Sequence, residues 1–183
     1  GTKGMDVWLA DLAEEIRESR NLPELDRGLE RLRGYLGFPY ICYAVKIAHS
    51  FTRTANLILG NYNPLWLARY ADQGYVNIDP VAEHCFSSST PFHWRSFDRQ
   101  SSARVRQFAD EAADFGLCDG ITVGAQQFNG DTSLISLALN RAIPNPDQQV
   151  RQVNLYLNAL HPLIYQAASK MLPEGVAGKA GLQ

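Results

Sequence analysis

The chain has no surplus of basic residues. Its 183 residues include 17 lysines and arginines against 19 aspartates and glutamates, which gives a formal net charge of −2. The composition therefore provides no excess of positive charge of the kind that binds DNA, RNA or anionic lipid. A hydrophobic share of 45% is ordinary for a globular protein, and the length predicts one domain.

Long apolar runs and paired cysteines are also missing. No run approaches the ~18 residues of a membrane-spanning helix, and the N-terminus lacks the apolar core of a signal peptide. The cysteines Cys42, Cys85 and Cys118 are odd in number and scattered along the chain. This pattern predicts reduced thiols rather than a disulfide framework, and therefore a cytoplasmic location.

Sequence motifs of catalysis and metal binding are equally scarce. There is no nucleophile elbow, P-loop or dinucleotide-binding fingerprint. The histidines have no ligand spacing. A zinc site would need His84, Cys85 and His93 together, but His84 and Cys85 are adjacent and would point about 100° apart on a helix. We therefore predict that the chain is not an enzyme and holds neither a metal ion nor a cofactor.

Hydrophobic periodicity and turn residues predict alternating helices and strands. Helices are expected over 5–20, 23–36, 64–73, 80–87, 101–115 and 146–171, and strands over 40–48, 57–60, 91–94, 121–128 and 131–139. The Asn129-Gly130 pair predicts a hairpin with a type I′ turn. The strand segment 134–139 is apolar on both faces, so helices should cover both sides of the sheet. The expected fold is α+β, an α-β-α sandwich with a central antiparallel sheet of the PAS or GAF kind.

The most informative stretch is 62–94. Tyr62, Trp66 and Tyr70 are spaced four residues apart, which predicts that all three line one face of the same helix. Asp79-Pro80 and Trp94 follow. Tyrosine and tryptophan bring polar tips that need partners when buried. Several such donors beside one acid indicate a mostly apolar pocket with a few aimed hydrogen bonds, which is typical of a small-molecule site.

Each of these residues also has a purely structural interpretation. Asp79 stands directly before a proline at a predicted helix start, where an acid serves as an N-cap. Trp66 and Trp94 are compatible with the core, and Ser136 with a core serine whose hydroxyl is paired. Thr122 and Gly124 on the facing strand are interpreted as small residues beneath a helix.

Taken together, the series Tyr62, Trp66, Tyr70, Asp79-Pro80, Trp94 and Gly120, with GLCDGIT at 116–122, resembles the autoinducer-binding domain of LuxR-type quorum-sensing transcriptional regulators. The resemblance covers residues 8–172. It implies that an N-acyl homoserine lactone is buried between the sheet and a layer of helices. The predicted autoinducer-binding domain is 5–172, and the segment 173–183 is expected to be a flexible tail or the start of a linker to a helix-turn-helix domain.

The resemblance also implies roles for individual residues. The Trp66 indole would donate to the lactone carbonyl, and Asp79 would accept from the ligand amide. Tyr62 would donate to the acyl carbonyl, with Ser136 as a second partner of that oxygen. The remaining two aromatic residues would contact the ligand by packing, Trp94 against the lactone ring and Tyr70 over the start of the acyl chain.

Partners and alternatives follow from the same resemblance. A homodimer is expected, with DNA bound only through a C-terminal domain that is not in this sequence. Leu67 stands where some members carry arginine, which bears on how a 3-oxo group would be recognised. Two alternatives stay open at this point: a PAS- or GAF-type sensor of another small molecule or of a cofactor such as haem, and a dimerisation module whose aromatic residues are all core.

Overall fold

A five-stranded antiparallel sheet forms the centre of the computed structural model, which describes residues 2–51, 55–96 and 102–172. The spatial order of the strands is β2-β1-β5-β4-β3. Their bounds are β1 Tyr40–Lys46, β2 Leu57–Gly60, β3 Phe92–His93, β4 Asp119–Gln126 and β5 Thr132–Leu139. β4 and β5 lie side by side over their whole length, from Asp119 opposite Leu139 to Gln126 opposite Thr132.

Helices precede, interrupt and follow the strands. Their bounds are α1 Thr2–Glu18, α2 Leu22–Leu36, α3 Pro64–Asp72, α4 Pro80–Cys85, α5 Ala103–Asp114 and α6 Pro146–Met171. Two single 3₁₀ turns, Tyr75–Asn77 and Trp94–Ser96, lie between α3 and α4 and directly after β3. Within the described ranges, no helix is both long and apolar enough to cross a membrane.

The side-chain alternation of the strands separates two layers. Ile41, Tyr43 and Val45 of β1 face α1, α2 and α6, and belong to the larger apolar core of the domain. Their neighbours Cys42 and Ala44 point to the opposite side, because successive side chains of a strand alternate. There they face α3, α4 and α5. The predicted α-β-α sandwich on an antiparallel sheet is therefore confirmed.

Short-range sequence signals explain where several helices begin and end. The Asn21 and Ser102 side chains accept from backbone N–H groups in the first turns of α2 and α5, as N-caps do. Asn63 and Asp79 cap α3 and α4 in the same way, each directly before a proline. Gly37 ends α2 with φ 77°, a left-handed conformation that favours glycine.

The β4–β5 hairpin differs from the prediction. A type I′ turn needs positive φ at both central residues, but only Gly130 has it, at 89°. Gln127 N donates to Asp131 O at 2.8 Å and Gly130 N donates to Gln127 O at 2.9 Å. This is a three-residue loop with a glycine bulge. The Asp131 carboxylate connects the loop to the segment after β1, because it accepts from the Ala48 N–H at 3.0 Å. The local sequence does not reveal this contact.

Several predicted boundaries also shift. Tyr62 lies before the start of α3 rather than on it, and Trp94 follows the short strand β3 in a 3₁₀ turn. Pro162 lies inside α6, which continues on both sides of it. The predicted tail at 173–183 lies outside the described residues.

Candidate functional site

A cavity of about 390 Å³ lies between the sheet and the layer formed by α3, α4 and α5. All six residues predicted to contact a ligand line this cavity, namely Tyr62, Trp66, Tyr70, Asp79, Trp94 and Ser136. The alternation of β1 and β5 brings in Cys42 and Ser136, which are directly paired across the two strands. The structure thus brings the six residues together, and their contact with a ligand stays a prediction.

Asp79 is both a helix cap and a cavity-lining acid. Its Oδ1 accepts from the Val81 N–H at 2.9 Å, and its Oδ2 accepts from the Tyr70 hydroxyl at 2.7 Å. The residue is only 9% exposed. Burial raises the pKa of the carboxyl group to about 6, against the opposing effect of the Tyr70 and backbone hydrogen bonds. A carboxylate has about four lone-pair sites, so Asp79 can still accept from a ligand.

Two aromatic donors have no partner within the described part of the chain. The Tyr62 hydroxyl is buried without a hydrogen bond, and burial raises its pKa well above the usual value; nearby Ser136 opposes that rise only in part. Trp66 is 3% exposed and packs edge-to-face on Tyr70 and in tilted contact with Tyr75 and Phe108. A buried donor without an acceptor costs about 1–3 kcal/mol, which applies to the Tyr62 hydroxyl. The Trp66 side chain lines the same cavity, so both groups are suited to a ligand that supplies carbonyl oxygens.

Trp94 is held by Thr122, whose hydrogen-bonding role the sequence did not predict. Its indole N–H donates to Thr122 Oγ1 at 2.9 Å, and Thr122 Oγ1 lies 2.7 Å from Ser136 Oγ. Either hydroxyl of this pair can donate to the other. In the arrangement in which Thr122 accepts from Trp94 and donates to Ser136, the Ser136 hydrogen can point into the cavity. Thr122 is therefore more than a small residue beneath a helix.

Gly120 and Gly124 allow close approaches on the same strand. A Cβ atom on Gly120 would lie 2.6 Å from the Trp94 ring and 2.7 Å from Leu137 O. One on Gly124 would collide with the Cys85 carbonyl at the end of α4. The interpretation of Gly124 as a small residue beneath a helix is confirmed. Gly120 lets the Trp94 ring lie flat against the sheet.

An ion pair joins α3 to α5, two of the three helices that face the sheet across the cavity. Arg69 on α3 donates twice to the Glu111 carboxylate on α5, at 2.8 Å from Nε and 2.5 Å from the second nitrogen. The Tyr75 hydroxyl also donates to Glu111. Arg69 and Tyr75 lower the pKa of Glu111 to about 2. This bridge could not be predicted from local sequence patterns, because Arg69 and Tyr75 are 42 and 36 residues from Glu111.

Three of the four histidines are engaged outside the cavity. His93 lies 3.0 Å from Asp119 at the end of the sheet, and the His84 ring bonds to Thr90. His161 on α6 bonds to Ser133 at 2.7 Å on the far side of the sheet from the cavity. No group of three or more potential metal ligands occurs within the described ranges.

The polar groups of the cavity therefore form a defined set. One carboxylate can accept, the Tyr62 and Trp66 donors have no acceptor within the described residues, and the Ser136 hydroxyl can donate when Thr122 donates to it. Tyr70 and Trp94 and the thiols of Cys42 and Cys118 also line the cavity. The rest of the lining is apolar, and its members are Ala44, Ala55, Ile58, Leu67, Ala71, Gly74, Val76, Val81, Ala82, Phe86, Phe108, Ala109, Ala112, Leu117 and Leu134. The chemical complement of this set is a molecule with one N–H donor, a few carbonyl acceptors and an apolar tail.

Comparison with known proteins agrees with this description. The profile of the family described as "Autoinducer binding domain" matches residues 21–167. The chain is 28% identical over 153 residues to the transcriptional activator protein AnoR of Acinetobacter nosocomialis, a match that covers 83% of this chain and 64% of AnoR. It is 31% identical over 137 residues to the quorum-sensing regulator RhlR of Pseudomonas aeruginosa, which covers 74% of this chain and 55% of RhlR. The chain thus spans less than two thirds of the length of these relatives.

Solved structures share the fold. The N-acylhomoserine lactone-dependent LuxR-family transcription factor CepR2 from Burkholderia cenocepacia superposes with a TM-score of 0.72 at 20% identity, covering 96% of each chain. SdiA from Escherichia coli gives a TM-score of 0.71 at 18% identity, covering 92% of this chain and 71% of SdiA. At these identities the similarity establishes the architecture.

Proposed function

This chain belongs to the autoinducer-binding domain family of LuxR-type quorum-sensing regulators, and on that basis we propose that its cavity binds an N-acyl homoserine lactone. The observation that supports this most strongly is the placement of Asp79 among unpartnered donors. A homoserine lactone head group carries one amide N–H, an amide carbonyl and a lactone carbonyl. The cavity offers one acceptor for the first and donors for the other two.

Each residue has a role in this proposal. Asp79 accepts from the ligand amide, while Trp66 donates to the lactone carbonyl. Tyr62 and Ser136 donate to the amide carbonyl. These roles rest on the positions of the polar atoms around the cavity and on the family to which the chain belongs.

The two remaining aromatic residues define where the head group ends and the acyl chain begins. Trp94, fixed by Thr122, packs against the lactone ring. Tyr70, fixed by Asp79, lies over the first carbons of the acyl chain. The apolar lining contributed by α3, α4, β1 and β5 then receives the rest of the chain.

We extend the proposal to the parent protein. By its relatives, the parent is a cytoplasmic transcriptional regulator that forms a homodimer and binds DNA through a separate helix-turn-helix domain. The family is a class of ligand-binding regulators rather than enzymes. The function proposed for this domain is ligand sensing without chemical turnover.

Thermal unfolding with a panel of lactones tests the ligand assignment. A ligand that binds only the folded state at ~1,000 times its dissociation constant stabilises it by about 4 kcal/mol, which for a domain of this size corresponds to roughly 10 °C in Tm. We expect a shift of this order with at least one lactone. The ring-opened acyl homoserine serves as the matched control, since it replaces a neutral lactone by a charged carboxylate.

The Trp66→Phe variant connects the shift to the site. Phenylalanine keeps most of the packing but removes the indole donor, so affinity should fall by about 1–2 kcal/mol. Mass spectrometry of small molecules extracted from the recombinant protein supplies an independent readout. No shift with any lactone, together with no co-purified ligand, would overturn the proposed function.

A further inference from the structure

The hydrogen-bond donors that reach the cavity are few, and some are already used within the protein. The Tyr70 hydroxyl donates to Asp79 at 2.7 Å, and the Trp94 indole donates to Thr122 at 2.9 Å. Neither hydrogen is available to a ligand without breaking an existing bond. The donors left over are the Tyr62 hydroxyl, the Trp66 indole and the Ser136 hydroxyl.

The head group of the proposed ligand uses all three remaining donors. Trp66 is assigned to the lactone carbonyl, and Tyr62 and Ser136 to the amide carbonyl. A ketone at the third carbon of the acyl chain would be a third carbonyl in the same buried region. No oxygen- or nitrogen-bound hydrogen among the described lining residues remains to pair with it.

Apart from the Tyr70 hydroxyl, which is bonded to Asp79, the thiol of Cys42 is the polar side-chain atom that the described part of the chain places beside Ser136 in the cavity lining. Cys42 is directly opposite Ser136 on the neighbouring strand and is 6% exposed. Its thiol lies near enough to Tyr62 and Tyr70 to contribute to raising the pKa of both hydroxyl groups. A thiol is only a weak donor. Beyond it the sheet presents Ala44 and Leu134, which are also paired and have no polar side-chain atom.

We infer that this site selects lactones whose acyl chain has no 3-oxo group, because every strong donor among the described lining residues is already committed to the protein or to the head group. The inference rests on the proposed function and adds the chemical subclass of the ligand. A 3-hydroxy lactone should bind with an affinity between those of the unsubstituted and the 3-oxo lactone. Its hydroxyl group can donate to the Tyr70 oxygen, which retains a free lone pair. The expected order of affinity is unsubstituted, then 3-hydroxy, then 3-oxo.

Matched ligand series test this order. Isothermal titration measures the affinity for hexanoyl, octanoyl and decanoyl homoserine lactones and for the 3-hydroxy and 3-oxo form of each. This set separates the effect of the 3-substituent on affinity from the effect of chain length. At the best-binding length, a buried carbonyl without a donor should weaken binding by about 5- to 150-fold relative to the unsubstituted ligand. Equal or tighter binding of the 3-oxo form would overturn the inference while leaving the proposed function in place. Failure of all nine lactones to bind would instead overturn the proposed function.

A single substitution tests the cause. Cys42→Ser replaces the weak thiol donor by a hydroxyl of nearly the same size and should narrow the ratio of 3-oxo to unsubstituted dissociation constants by about 5-fold or more. Cys42→Ala is the matched control, because it removes the thiol without adding a donor and should leave that ratio within about 2-fold of the wild-type value. A ratio that does not change in Cys42→Ser would show that a missing donor is not the cause of the selectivity.

Discussion

The Tyr70 hydroxyl donates to the Oδ2 atom of Asp79 at 2.7 Å, across the turn that separates α3 from α4. The other oxygen of the same carboxylate caps α4 through the Val81 N–H. One buried acid thus positions a helix, orients a tyrosine and faces the cavity. The structural and the ligand-binding interpretations of Asp79 are compatible, and experiments can separate them.

Asp79→Asn should separate stability from binding. Asparagine is an equally good N-cap, and it removes a charge whose burial is unfavourable, as the raised pKa indicates. At pH 8 we expect the free energy of unfolding without ligand to be unchanged or higher. Lactone affinity should fall about tenfold, because a charge-assisted hydrogen bond is replaced by a neutral one. Urea denaturation and titration measure the two quantities. Unaltered affinity would show that Asp79 is only a cap.

Two buried groups should give opposite pH dependences of stability. The pKa of Asp79 is raised from 3.8 to about 6 in the folded state. Between these values the folded protein holds more protons than the unfolded chain, so Asp79 makes unfolding more costly as the pH falls. The pKa of His161 is lowered by burial from 6.5 to about 4, so the unfolded chain holds more protons and acid destabilises the fold.

Between pH 4 and 6 these two effects should largely cancel in the wild-type protein. Asp79→Asn leaves the His161 effect unopposed, so its free energy of unfolding should fall by roughly 3 kcal/mol relative to the wild type between pH 6.5 and 4. His161→Gln leaves the Asp79 effect unopposed, so its free energy of unfolding should rise relative to the wild type over the same pH range. Denaturant titrations across this range measure both differences, and parallel curves for all three proteins would refute the assignment.

Gly120→Ala should displace Trp94. The added methyl group would lie 2.6 Å from the indole ring and 2.7 Å from a carbonyl oxygen of β5, so one of them must move. We expect a loss of about 1–3 kcal/mol in stability, the usual cost of overpacking, together with weaker lactone binding. Gly34→Ala is the control, since nothing lies within 4 Å of its Cβ position in α2; it should stabilise the domain by about 0.5–1 kcal/mol. Comparable Tm values for the two variants would contradict this packing.

Thr122→Val tests how much the hydrogen bond from the Trp94 indole to Thr122 contributes to stability. Valine has nearly the same shape but leaves the buried indole N–H and the Ser136 hydroxyl without their partner. We expect a loss of about 1–3 kcal/mol in the free energy of unfolding. Thr122→Ser, which keeps the hydroxyl, should lose clearly less. If the two variants unfold at the same denaturant concentration, the hydroxyl network does not contribute to stability.

The sequence predicted the local features of this fold because they depend on neighbouring residues. Proline after Asn63 and Asp79 located two helix starts. The family resemblance then grouped the six site residues. Even so, Tyr62 was assigned to a helix that begins only at Pro64, since a spacing of four does not reveal where an N-cap intervenes.

Contacts between distant segments could not be predicted in the same way. Thr122 accepts from a tryptophan 28 residues away, and Glu111 joins α5 to α3 across 42 residues. Nothing within either segment distinguishes these residues from ordinary strand or helix-surface positions. The hairpin loop is a similar case, because the Asp131 carboxylate that fixes it binds the backbone of Ala48, 83 residues away.

The most direct test of the account is a crystal structure of the protein grown with an unsubstituted acyl homoserine lactone. The distance to measure is the one between the ligand's amide nitrogen and the nearer carboxylate oxygen of Asp79. We predict a hydrogen bond of about 2.7–3.2 Å, with the acyl chain along Ala44 and Leu134. A lactone bound outside this cavity, or inside it with the amide turned away from Asp79, would contradict the account.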